Sequence, residues 1–121
     1  MPRPRRDDVD AQLPLKPLVF QVLLALAGGE LHGWGLVREV QLRGGFEGLM
    51  PGNFYRTLRA LLADGLIEES GDLRDRRQDD ERRRYFRLTP FGKAVATAEA
   101  QRLEYVVFEA RAKRLLPESR S

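Results

Sequence analysis

The arginines narrow the chemistry open to this chain more than any other residue type. Arg3, Arg5 and Arg6 crowd the start, and Arg74, Arg76, Arg77, Arg82, Arg83, Arg84 and Arg87 crowd a later stretch. Between these clusters, Arg56 and Arg59 follow closely on Gly52, Asn53 and Tyr55. Guanidinium groups pair bidentately with guanine edges or grip phosphate oxygens, and an Asn side chain pairs with adenine in a similar way. That chemistry recognises nucleic acid and breaks no bonds. The chain has no cysteine and a single histidine, His32, which excludes disulfides, thiolate metal sites and cysteine nucleophiles. A lone histidine in a turn before a helix caps or packs more readily than it ligates a metal. No glycine-rich phosphate loop follows a strand and no Ser-His-Asp set stands out. The carboxylates fall in charge-mixed segments expected to be exposed, a poor setting for acid–base work. We expect no enzyme, no cofactor and no metal.

Elements must position these residues, and 121 residues allow one domain plus a docking element. The chain is 42% hydrophobic and 32% charged, with a net charge of +3, so it should fold and favours an anionic partner. The apolar stretch from Leu18 to Ala27 is too short to span a bilayer and no small-residue cleavage site follows it. A cytoplasmic protein without a membrane partner is the expectation.

Residues 1–13, rich in proline and mixed charge, read as a flexible tail. The tail's arginines could reach a minor groove, but Asp7, Asp8 and Asp10 follow at once. Pro17 suits a first helical turn, and the run from Leu18 to Leu26, apolar nearly all round, predicts a central helix ended by Gly28-Gly29. A second helix is predicted from about His32 to Leu42. A third starts at Pro51, with Phe54, Leu58, Leu61 and Leu62 on one stripe and Gly65 past its end. Leu66–Ser70 and Arg84–Leu88 read as strands of a hairpin whose long charged connection forms a mobile tip. Thr89 as N-cap and Pro90 at the first position open a last helix, predicted to run to about Leu116, where Pro117 closes it. Its stripe of Val95, Ala98, Leu103, Val106, Val107, Ala110 and Leu115 is longer than a three-helix core can cover.

The expected class is therefore mainly α with a small β-hairpin: a winged helix-turn-helix domain over 14–89, a long C-terminal dimerisation helix over 90–116 and a short tail over 117–121. On the third helix Arg56 falls opposite the apolar stripe, with Gly52, Asn53 and Arg59 nearby. Asn53 and Arg56 are the candidates for base contact, and Tyr55 on the flank could donate to a phosphate. In the hairpin, Arg82, Arg83 and Arg84 are the candidates for the DNA backbone, Arg84 foremost. A solvated helix face and a salt-bridge-laced loop are the plainer readings of the same arginines.

Read in order, the residues also resemble a known family. Leu31-His32-Gly33-Trp34-Gly35, Met50-Pro51-Gly52-Asn53-Phe54-Tyr55-Arg56-Thr57-Leu58, Leu61-Leu62-Ala63-Asp64-Gly65-Leu66-Ile67-Glu68 and Arg82-Arg83-Arg84-Tyr85-Phe86-Arg87-Leu88-Thr89-Pro90-Phe91-Gly92 together are similar to the PadR transcription regulators. The chain departs from the family pattern at Trp34, where tyrosine is usual, and at Asn53, where threonine or serine is commoner. A single C-terminal helix looks like the family's shorter branch.

The resemblance implies a homodimeric repressor that binds a double-stranded operator with two half-sites, and on the stripe of the last helix Val95, Leu103, Val106, Val107 and Ala110 are the expected interface. In some relatives a small aromatic effector releases the DNA. Here Trp34, Tyr105 and Phe108 are the candidate ring-stacking residues, although a Trp between helices is more often core. The competing reading is a winged-helix module that binds another protein and never touches DNA. A version that binds protein would show exposed apolar or acidic residues on the third helix.

Overall fold

The computed structural model describes residues 4–43, 45–46, 48–70 and 84–118. Arg3 and the connection carrying Arg74, Arg76, Arg77, Arg82 and Arg83 lie outside them, as does the expected hairpin tip. The described elements are α1 (Arg6–Ala11), α2 (Pro17–Ala27), β1 (Leu31–His32), α3 (Gly33–Arg43), α4 (Pro51–Ala63), β2 (Ile67–Ser70), β3 (Tyr85–Leu88) and α5 (Pro90–Ala112). This is a winged helix-turn-helix with a long terminal helix. No helix among the described residues is long and apolar enough to cross a membrane.

The core forms where the apolar stripes converge: Val22, Leu23 and Leu26 from α2, Leu36, Val37 and Val40 from α3, Phe54, Leu58 and Leu61 from α4, and Val95 from α5. Leu66, Ile67 and Phe86 close it from the sheet side. Contrary to the expectation of burial nearly all round, Leu24 on the far side of α2 is half exposed. A domain this small cannot cover every face of its central helix.

Local chemistry sets the helix ends. Pro17, Pro51 and Pro90 each occupy a first turn, where a missing N–H costs nothing. Gly65 adopts φ +76° beyond α4, a left-handed conformation that turns the chain into β2. The Thr89 hydroxyl accepts the Gly92 N–H at 2.9 Å and donates to the Gly65 carbonyl at 2.6 Å. One side chain thus caps α5 and ties its start to the α4–β2 turn.

Among the described residues three strands, not two, make the sheet, in the order β1-β3-β2 and antiparallel throughout. Leu31 faces Phe86 and His32 faces Tyr85 across β1–β3, while Glu68 faces Arg87 and Glu69 faces Phe86 across β2–β3. The Gly33 N–H donates to the Arg84 carbonyl at 2.9 Å, continuing this pairing into the start of α3.

Two expectations are corrected at the chain ends. Residues 6–11 form a helix, not a flexible tail, because Val9 is buried against the core and α1 packs on α5. At the other end α5 stops at Ala112, short of Leu116. Arg114 takes φ 62°, and the N–H groups of Arg114 and Leu115 return to the carbonyls of Arg111 and Ala110, both at 2.9 Å. That left-handed cap ends the helix before Pro117 has to.

Candidate nucleic-acid interface

The third helix of the motif, α4, buries Phe54, Leu58 and Leu61 and exposes Gly52, Asn53, Arg56 and Arg59. This is the division that a helix lying in a DNA groove requires, with its apolar side on the domain and its polar side outward near the N-terminus. None of α4's own residues is among the exposed large apolar side chains, and it carries no acid. The outer face is therefore polar and basic.

The start of α4 adds a feature that the side-chain reading missed. Met50 holds the N-cap position without any side-chain hydrogen bond to the first turn. The N-cap side chain takes none of the first-turn N–H groups, so this end of the helix keeps donors and a partial positive charge for an anion. A Cβ on Gly52 would meet nothing within 4 Å, so the surface there is open to close approach. The signal in the sequence was the missing cap in Leu49-Met50-Pro51.

Tyr55 is placed differently from expectation. Its ring stands edge-on to Phe54, with centroids 5.5 Å apart, and its hydroxyl is buried. A buried hydroxyl cannot meet a phosphate arriving from solvent, so Tyr55 leaves the set of outward residues.

Arg84 also turns inward. Its guanidinium bonds the Glu69 carboxylate at 3.1 Å across β2–β3, and both side chains are only about a quarter exposed (27% and 26%). Arg87, by contrast, is exposed and pairs with Glu68 at 2.8 Å. Arg82 and Arg83 lie outside the described residues. Arg84 is thus engaged by Glu69, and on α4 Arg56 and Arg59 are exposed.

His32 is a cap. Its Nδ1 accepts the Gly35 N–H at 2.8 Å, and its ring meets Tyr85 edge-on at 5.6 Å. The residue therefore sits between the sheet and α3, the helix that packs before α4 in the motif.

The candidate dimer residues divide in two. Val95 is fully buried in the chain's own core, so it has no surface to offer a partner. Leu103, Val107 and Ala110 are partly exposed and Val106 is 49% exposed. The candidate ring-stacking residues divide as well. Trp34 is not core: it is half exposed and lines a shallow pocket of about 350 Å³ with Val37, Arg38, Gln41, Leu42 and Pro51. Tyr105 and Phe108 stack on each other along α5, 6.5 Å between centroids, and do not line that pocket.

The expectation of exposed carboxylates fails at Glu99. It is 1% exposed and is the one buried charged residue among those described. The Arg102 guanidinium beside it holds its carboxyl below the ordinary value, a pull that the Leu15 N–H reinforces and burial opposes. The helix spacing places it on the buried face, four residues after Val95 and four before Leu103, but its partner Leu15, between α1 and α2, is distant in the chain.

Comparison with known proteins agrees with this layout. Residues 22–98 match the model of the transcriptional regulator PadR-like family. The chain is also similar to the protein named transcriptional regulator Rv3488 of Mycobacterium tuberculosis (strain ATCC 25618 / H37Rv). The two are 36% identical over 90 residues, which cover 74% of this chain and 78% of that protein.

Proposed function

Since this chain belongs to the PadR-like family of transcriptional regulators, we propose that it binds operator DNA as a homodimeric repressor, reading base edges with α4. The observation that carries the reading is the outer face of α4, where Gly52, Asn53, Arg56 and Arg59 are exposed above an uncapped N-terminus. Asn53 and Arg56 are assigned to base edges, Arg59 and the first-turn N–H groups to phosphates. Arg82 and Arg83 are assigned to the adjoining backbone through their charge and their place in the chain. The protein-binding alternative loses ground because α4 presents neither acid nor large apolar side chains outward.

Dimerisation is assigned to the distal half of α5. Beyond Glu99 none of its residues is buried, although Leu103, Val106, Val107 and Ala110 continue an apolar stripe. Exposed apolar surface of this kind is what a second copy covers. Two recognition helices in one dimer would read half-sites about 34–36 Å apart, or a multiple of that. The stacked Tyr105 and Phe108 lie on the same half-helix, and they give an aromatic effector rings to pack against beside the pairing stripe. The test is binding of the purified protein to the DNA upstream of its own gene, against unrelated DNA of equal length.

A further inference from the structure

Glu99 is the last buried residue along α5. About 13 further helical residues extend beyond it, roughly 20 Å at the rise of an α-helix. Its carboxylate accepts the Leu15 N–H at 2.9 Å, and Arg102 donates to both of its oxygens, the longer bond at 3.2 Å. An apolar side chain would fill such a site with less desolvation, since buried ion pairs seldom stabilise more than the hydrophobe they displace. What the carboxylate supplies is direction. A hydrogen bond to one backbone N–H has a preferred length and angle, whereas apolar contacts let a helix roll and slide.

The segment it grips leads to α4. Gln12, Pro14, Leu15 and Lys16 line a cleft together with Thr57 and Ala60 of α4 and Asp64 just past its end. Glu99 therefore holds α5 to a connection that faces α4 across this cleft. A small change in angle at Glu99 would be magnified along the projecting half of α5.

We propose that Glu99 is a positioning residue for operator reading: its hydrogen bond to Leu15 sets the angle between α5 and α4, and so the separation of the two α4 helices in the dimer. The inference rests on the DNA-binding reading above, but its first test does not. The chain has no cysteine, so Ala63→Cys on α4 and Glu104→Cys on α5, both exposed, give two spin-label sites. With labelled chains diluted in unlabelled ones, pulsed dipolar spectroscopy reads the α4–α5 distance within one chain. The parent protein gives a narrow distribution. Glu99→Ala removes the acceptor, Glu99→Asp withdraws it by one methylene, and both broaden the distribution, whereas Glu99→Gln keeps an acceptor and stays close to the parent. Should the Ala variant not fold, the Asp variant decides.

The second readout is the ratio of affinities for an operator with native half-site spacing and one carrying two inserted base pairs. That ratio falls about five-fold in the Ala and Asp variants, the weight of one ordinary hydrogen bond, and is retained by Gln. A merely structural residue would lower affinity for both operators alike. Unchanged distance distributions in folded Ala and Asp variants overturn the proposal. Broadened distributions in a protein whose parent shows no specific DNA binding would sink the DNA-binding reading and leave Glu99 as the residue that orients α5.

Discussion

Gly92, in the first turn of α5, lies directly against the carbonyl of Leu66, so close that a Cβ on it would stand 1.8 Å from the Leu66 oxygen. The long helix can pass under the α4–β2 turn only because this residue has no side chain. The same Leu66 carbonyl accepts the Thr89 N–H at 3.2 Å, so the cap and the close approach form one joint. Gly92→Ala must push backbone against backbone, which no rotamer change relieves. It is expected to cost at least about 2 kcal/mol of stability, in the range of overpacked cores, by urea unfolding. A loss below about 0.5 kcal/mol, the size of an ordinary surface change, would contradict the joint.

Acid should remove the stability that the Glu99 charge contributes. Its carboxyl is held below 4.5, first by the Arg102 hydrogen bond, so the folded state binds this proton less readily than the unfolded chain does. The stability it contributes is fully present above the unfolded value and is lost as pH falls through the lowered folded one. Glu99→Gln should therefore be less stable than the parent at pH 7, by about 1.5–3 kcal/mol for a bond to a charged group. The gap should close as pH falls below the carboxylate range. Unfolding curves at pH 7 and pH 3 for both proteins check this, and a gap that is the same at both would contradict it.

Arg56→Ala should cost about 1–3 kcal/mol in operator binding and relax preference at one base pair. A set of operators with single substitutions, titrated against parent and variant, shows which position loses discrimination. A uniform loss across all sequences would instead make Arg56 a phosphate contact.

Val106, 49% exposed on the distal half of α5, is the most direct probe of pairing. Val106→Glu places a charge in the stripe and should yield monomers in sedimentation velocity while far-ultraviolet circular dichroism stays unchanged, because the residue contributes little to the chain's own core. A dimer as stable as the parent would move the interface elsewhere.

What was legible in the sequence was local. Thr89-Pro90, Pro51 and Gly65 mark helix ends because caps and prolines act on their immediate neighbours, and α4's stripe of Phe54, Leu58 and Leu61 separates its two faces by spacing alone. What was not legible depends on partners distant in the chain. β1 is only two residues, Leu31 and His32, with no alternation to detect, and it exists through pairing with Phe86 and Tyr85. α1 offers one large apolar residue, Val9, and is held by packing on α5. Arg84 reads as one more arginine of its cluster until the fold sets it beside Glu69. Glu99 falls on the stripe of α5 four residues after Val95, but its partner Leu15, 84 positions away, is given only by the fold.

The most direct test of the central claim is an affinity measurement on the purified protein with the DNA upstream of its own gene, at two salt concentrations, beside unrelated DNA of equal length. Binding that is at least about a thousand-fold tighter to the upstream DNA, and that weakens steeply with salt, is the result we predict. Equal and weak binding to both DNAs would reduce α4's arginines to surface charge and contradict the assignment of operator reading to this face.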